Sequence, residues 1–342
     1  MNNRSAGPRS FNTLQRSNRL ARLKRLQEAR ILLLAICALI LVLALTGLVF
    51  LFCQIGHNVS TGGGGGGKSG KVVYTRLTKT EADVHTGNLI LVSNDYTYQF
   101  PETTIENLSE LAGYDLSQYL AKRETKPYEV KLRSEWSETT CMLPEAAEAM
   151  DLLLNAFYES TDTKLAFYCG YRSYEYQKSL NSTVRAGASD HHTGLSACLT
   201  DNSNKVALAE DSRSRLIAIA PTYGFIQRYP SNKYSDTGIS DYPELFRYVG
   251  VPHAGYITDR NLTLESYLKL LQSNYTYSKS HLLLNAAGEE VKAKDAVYEV
   301  YYVAAADGDS TQVLVPKNYH YTISGDNMGG FIVTVNLNKP IA

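Results

Sequence analysis

From Ile31 to Cys53 the chain runs 23 residues without a charge, and up to Ile55 only Gln54 is strongly polar. An apolar run of that length predicts a helix that crosses a bilayer core of about 30 Å. A buried core helix would not stay apolar on all faces for about six turns. A cleavable signal has a shorter apolar region and a small-residue cleavage site, and Cys53-Gln54-Ile55 provides no good one. The next stretch, Gly62 to Gly67 with Lys68-Ser69-Gly70, has no apolar side chains to bury and predicts a flexible tether.

Beyond the tether the spacing predicts ordinary elements. Gly87 to Asn94 is a short apolar run closed by a turn signal and predicts an edge or arm strand. Pro144 opens a helix in which Met150, Leu153, Leu154 and Phe157 recur on one face. Leu165 to Tyr168 predicts a strand ending at Gly170, and Ser173 an N-cap for a helix reaching about Arg185. Arg213 to Ala220 predicts a helix stopped by Pro221, and Thr263 caps another through Leu271. After about residue 290 the runs Val297–Val303, Gln312–Val315 and Phe331–Val335 are β-branched and aromatic, which predicts a small all-β appendage. Sustained heptads and repeats of 20–50 residues are absent, which argues against coiled coils and solenoids.

Charge refines this picture. The total of 34 Lys plus Arg against 34 Asp plus Glu hides a split, because residues 1–30 hold eight basic side chains and the single acid Glu28. By the positive-inside rule this basic lead places the N-terminus in the cytoplasm and the remainder outside. The part after residue 53 has 26 basic and 33 acidic side chains, a net of −7, which argues against nucleic acid as a partner. Cys37 and Cys53 act as small apolar residues of the anchor, while Cys141, Cys169 and Cys198 form an odd set outside it. One disulfide with one free thiol is compatible with an oxidising exterior, but the pairing stays open at this point.

The densest polar constellation is Gly170-Tyr171-Arg172-Ser173-Tyr174 with Gln177, followed by Ser189-Asp190-His191-His192-Thr193-Gly194. An arginine at a strand-to-helix turn can receive a carboxylate through its planar fork. Its plainer role is packing, and the plainer role of His191 is a hydrogen-bonded core histidine. His191 and Cys198 alone are two donors, fewer than a zinc site needs.

These residues carry a wider likeness. From about Gly87 to Leu268 the chain resembles the VanY-type D-alanyl-D-alanine carboxypeptidases, zinc peptidases that trim bacterial cell-wall stem peptides. The matching blocks are Gly87 to Asn94; Gly170 to Tyr174 with Gln177; Ser189, His191 and Thr193-Gly194-Leu195; Tyr223 to Ile226 with Arg228-Tyr229-Pro230; Phe246 to Gly250; and Thr263-Leu264-Glu265 with Tyr267-Leu268. The resemblance implies an α+β fold with an antiparallel sheet flanked by helices. The expected organisation is a cytoplasmic tail (1–30), a transmembrane helix (31–55), a Gly-rich linker (56–72), a VanY-like domain (73–288) and a small β module (289–342).

The resemblance also implies three zinc ligands and a general base. His191 occupies the first ligand position, Cys198 stands where the family has Asp, and Leu245 where it has His. Tyr242 stands at the position of the general-base Glu. A thiolate can ligate zinc, but a leucine has no lone pair and a phenol is a poor base at neutral pH. Arg172, Gln177 and Ser189 match positions that hold the terminal dipeptide in the family. The expectation is therefore an extracytoplasmic cell-wall pseudopeptidase, needing no cofactor, whose partner is a peptidoglycan stem peptide or an envelope protein. The alternative is an active peptidase with zinc held by a rearranged set drawn from His192, Asp201 or Glu244.

Overall fold

The computed structural model describes residues 72–100, 114–131, 135–201, 207–240 and 242–341. The expected tail and membrane segment, nearly all of the linker, and Asp241 lie outside the described residues. Among the described residues no helix is long and apolar enough to cross a membrane. From Gly70 onward the chain forms one compact unit.

Strand β1 (Tyr74–Thr80) leads into a loop through residues 87–94, then come α1 (Leu116–Ala121) and β2 (Tyr128–Val130). Helix α2 (Pro144–Thr161) starts with Pro at its first turn and buries Met150, Leu153, Leu154 and Phe157, the stripe its spacing predicts. It is followed by β3 (Leu165–Cys169), α3 (Tyr174–Ser179) and β4 (Ser196–Asp201). Then come α4 (Glu210–Ile219), β5 (Phe225–Tyr229), α5 (Tyr234–Thr237) and β6 (Tyr242–Tyr248). Helices α6 (Val251–Asp259) and α7 (Leu264–Asn274) precede β7 (Leu282–Leu284), β8 (Tyr298–Ala304), β9 (Ser310–Pro316), β10 (Tyr319–Gly325) and β11 (Gly330–Pro340).

The central sheet has the order β2-β3-β4-β6-β5. It is antiparallel except at its edge, where β2 pairs β3 in parallel. Alternation along the strands divides its two faces. Phe167, Ala197, Leu199, Phe225 and Phe246 join the core under α2 and α4. On the opposite side Cys198 and Leu245 pack with Cys169 and Tyr229 in a second cluster. One face builds the core and the other carries the site.

Of the strands after residue 289, β8, β10 and β11 share a sheet with β7, in the order β10-β11-β8-β7, whereas β9 pairs with β1 in a separate two-stranded sheet. Ile332, Val300 and Tyr302 also share a core with Leu264, Leu268 and Leu271 of α7. Strand β1 pairs β9 through seven antiparallel residue pairs, from Tyr74 opposite Pro316 to Thr80 opposite Ser310.

Two expectations differ from the structure. The segment 87–94 is a buried arm and not a strand: Leu89, Ile90, Leu91 and Val92 are buried, but its backbone bonds go to isolated partners. Leu89 N–H donates to Ser324 Oγ, Leu91 N–H to Asp326 O, and Arg247 donates to the carbonyls of Asn88 and Ile90. The helix capped by Ser173 ends at Ser179 and does not reach Arg185. Asn181 takes a left-handed conformation, and the Gln177 amide captures Val184 O, which folds the chain back.

Candidate functional site

The site is built where β3 turns into α3 and meets a 3-10 turn, Asp190–Thr193, ahead of β4. Gly170 is required by close approach, since a Cβ there would lie 2.3 Å from Cys141 O. After it, Arg172 N–H donates to His191 O at 3.3 Å, and both histidines tie the turn back to this loop. His191 Nδ1 donates to Gly170 O (2.6 Å) and His192 Nδ1 donates to Arg172 O (2.7 Å).

The two histidines then part. His192 Nε2 accepts from Gly187 N–H at 3.0 Å, so both of its nitrogens are used inside the fold. Burial pulls its imidazole down to about 4. His191 is 1% exposed, and its Nε2 is a buried nitrogen without a hydrogen-bond partner among the described residues. Burial, with the charge of Arg172, holds this imidazole well below its ordinary 6.5. A neutral ring with Nδ1 committed to a carbonyl and Nε2 bare is the arrangement of a metal-ligating histidine.

Arg172 is half-buried at the end of the loop. Its Nε donates to Cys169 Sγ (3.2 Å) and one terminal nitrogen to Gln177 Oε1 (3.0 Å). Gln177 spends its amide hydrogens on Ser182 Oγ and Val184 O, so it braces the arginine from inside. No carboxylate pairs with Arg172 among the described residues. Ser189 is buried at the start of the turn, where its carbonyl accepts from His192 N–H.

Cys198 of β4 and Leu245 of β6 are directly paired on the sheet face that carries Cys169 and Tyr229. A slip in the β5–β6 register lets Tyr242 pair with Tyr229 and join the same cluster as Leu245. Strict alternation would have sent Tyr242 and Leu245 to opposite faces, yet both belong to this cluster, so β6 departs from regular alternation between them. Burial pushes the Cys198 thiol up to about 12, with the Tyr242 hydroxyl bonded to it as a partial offset. Burial, reinforced by Cys198, also raises the Tyr242 phenol well above its ordinary 10. Cys169, Tyr176, Tyr229 and Leu245 complete an apolar surface, with Trp136 stacked on Tyr176 at 4.9 Å.

This donor set does not fit zinc. Nε2 of His191 and the Cys198 thiol are two donors, Leu245 contributes none, and among the described residues three potential ligands do not converge. The rearranged alternative is not assembled by them either. His192 is fully engaged, Asp201 lies at the far end of β4 opposite Leu165 and accepts from Ala209 N–H, and Glu244 is buried within electrostatic reach of Cys198.

Directly behind the turn lies a charge cluster whose role the sequence pattern did not reveal. Asp190 accepts from Arg247 (2.7 Å), from Arg228 (3.3 Å) and from the Ser196 hydroxyl, while Arg228 holds Glu265 through two bonds of 3.0 and 2.7 Å. Burial alone would raise the Asp190 carboxyl, but Arg247 and Arg228 hold it down to about 2. The legible signal was an arginine inside each of two strand-like runs, Phe225–Tyr229 and Phe246–Tyr248, since a buried charge needs a partner.

Comparisons with known proteins bear on the family and the fold. The VanY D-alanyl-D-alanine carboxypeptidase family profile matches residues 139–251. A D-alanyl-D-alanine carboxypeptidase of Enterococcus faecium is 30% identical over 270 residues, covering 75% of this chain and 78% of that protein. The chain belongs to the VanY family. A second relative, the bifunctional D-Ala-D-Ala dipeptidase and carboxypeptidase VanXYC of Enterococcus gallinarum, is 58% identical over 45 residues, 13% of this chain and 24% of that one. In three dimensions the VanY-family chain is similar to the vancomycin-resistance D,D-dipeptidase VanXYg, solved with a D-Ala-D-Ala phosphinate analogue. That likeness has a TM-score of 0.59 at 25% identity and covers 77% of this chain and 99% of the other.

Two cavities lie near these elements. One of about 480 Å3 opens beside the site, bordered by Leu91, Tyr96, Ala188, Tyr229, Ile239 and Glu265. The roomier one, about 740 Å3, lies between residues 248–253 and strands β10 and β11 and contains none of the family's site positions. The bare Nε2 and the unpaired guanidinium identify the site better than volume does.

Proposed function

We propose that this VanY-family chain is a membrane-anchored, extracytoplasmic protein that binds peptidoglycan stem peptides ending in D-Ala-D-Ala and does not cleave them. The observation that carries the reading is Arg172, a half-buried cation without a carboxylate partner among the described residues. A charge taken partly out of water is favourable only when paired, and a peptide C-terminus supplies the partner. The neighbouring 480 Å3 cavity provides room for the residues before that terminus. Hydrolysis lacks its agents: the Tyr242 phenol stays protonated and Leu245 offers no electron pair. The anchor reading rests on the 31–55 run and its basic lead, which place the site on the cell-wall side.

Calorimetric titration of the full chain with a pentapeptide ending in D-Ala-D-Ala tests this. Binding that Arg172→Ala weakens, with no D-alanine released, is the expected result; no heat at millimolar peptide removes the reading. The bare Nε2 of His191 favours a second reading, an active peptidase whose metal set is completed outside the described residues. Stoichiometric zinc in the purified chain, with D-alanine release abolished by a chelator, would put that reading first.

A further inference from the structure

Cys169 and Cys198 are opposite residues of β3 and β4, just past a register shift between Phe167 and Cys169 that brings the two cysteines into register. Opposite residues of an antiparallel ladder project to one face, with Cα atoms about 4.5 or 5.5 Å apart according to the hydrogen-bonding site. Both spacings fall inside the window of about 4.4–6.8 Å that a disulfide spans. The two side chains are 0% and 3% exposed and pack in the same apolar cluster. Both are free thiols here. The other described cysteine, Cys141, sits apart with Tyr171.

We propose that Cys169 and Cys198 are a disulfide-forming pair that closes in oxidising surroundings. In the exchange a thiolate of one residue attacks a small-molecule disulfide and releases one small thiol. The second protein thiolate then displaces the other half. Two protein thiols become one S–S bond, and two electrons and two protons leave with the small molecule as two thiols.

The bond has two consequences at this site. Cys198 loses the thiolate that would make it a zinc donor, so the oxidised chain is committed away from metal. The link also closes the loop between residues 169 and 198, which carries Arg172, Gln177, Ser189 and His191, and fixes the framework around the guanidinium. The inference stands on strand register and packing and is independent of which ligand the cleft takes.

The test uses the full chain, which has five cysteines, equilibrated with oxidised glutathione in sub-denaturing urea so that buried thiols can exchange. Two thiols are expected to disappear, and peptide mapping without reductant is expected to find Cys169 joined to Cys198. Cys141→Ser is expected to lose the same two thiols, and Cys198→Ser to leave Cys169 without this partner. An unchanged thiol count, a linkage that includes Cys141, or stable glutathione adducts in place of the bond would each overturn the proposal.

Discussion

Asp190 and His191 are neighbours in one 3-10 turn, and they serve two regions that obey opposite rules. Around Asp190, two arginines and two carboxylates are buried together, every charge within bonding distance of an opposite one. His191 is tied to the fold through Nδ1 alone, its other ring nitrogen has no partner among the described residues, and Cys198, Tyr242 and Leu245 of the neighbouring strands belong to an apolar cluster. The first region is complete within the chain, and the second is complete only with something added. Even the substitutions follow this division. Ser196 gives Asp190 one more donor, whereas Cys198, Tyr242 and Leu245 stand where the family resemblance leads one to expect two zinc ligands and a general base. The charge cluster holds the turn in place through contacts made wholly within the chain.

The most forceful way to break the contrast is to refit the second region. Cys198→Asp, Tyr242→Glu and Leu245→His together are expected to bind zinc with a dissociation constant of micromolar or tighter, roughly 8 kcal/mol, where the unaltered chain binds far more weakly. Metal analysis and competition with a chromogenic chelator measure it. A folded triple variant without zinc would mean that the β6 motif is misaligned.

Opening the charge cluster comes next. Asp190→Ala leaves Arg247 with no carboxylate and is expected to cost about 3–5 kcal/mol in urea denaturation, as for other broken buried pairs. Acidification probes both regions at once. His192 and His253 are held by burial at about 4 and about 3 against an ordinary 6.5, so the unfolded chain takes up protons first as pH falls. Stability is therefore full above about pH 7 and is expected to decline below 6.5, by roughly 2 kcal/mol for each histidine at pH 5. Asp190 adds a further loss only below about pH 4, as its depressed carboxyl is approached. Arg172→Ala is expected to weaken peptide binding about tenfold, or ~1.4 kcal/mol, with little change in the denaturation midpoint. Smallest is Thr263→Ala in the capping box of α7, expected to cost about 1 kcal/mol and to leave peptide affinity unchanged.

Much of this was legible in the residues because local rules and tertiary packing agree there. The stripe of α2, the Ser173 and Thr263 caps and the strand before Gly170 all fall where spacing and side-chain chemistry place them. The arm 87–94 differs from the expected strand because a short apolar run reports burial, and burial here comes from docking on Arg247 and Ser324 with no ladder. The family resemblance makes Gln177 a peptide contact, yet its amide hydrogens are used by Ser182 and Val184. The charge cluster escaped notice because its members lie far apart along the chain, at 190, 228, 247 and 265. Tyr242 and Leu245 share one cluster although they are three residues apart on β6, and such a departure from regular alternation leaves no mark in residue spacing.

The pairing of β1 with β9 also governs how the fold would bear load. Whatever pulls on the chain upstream of Tyr74 reaches the described fold first through β1, and there it meets the seven-pair ladder with β9. Stretching from that end would meet its resistance at β9, well before the strands that carry the cleft.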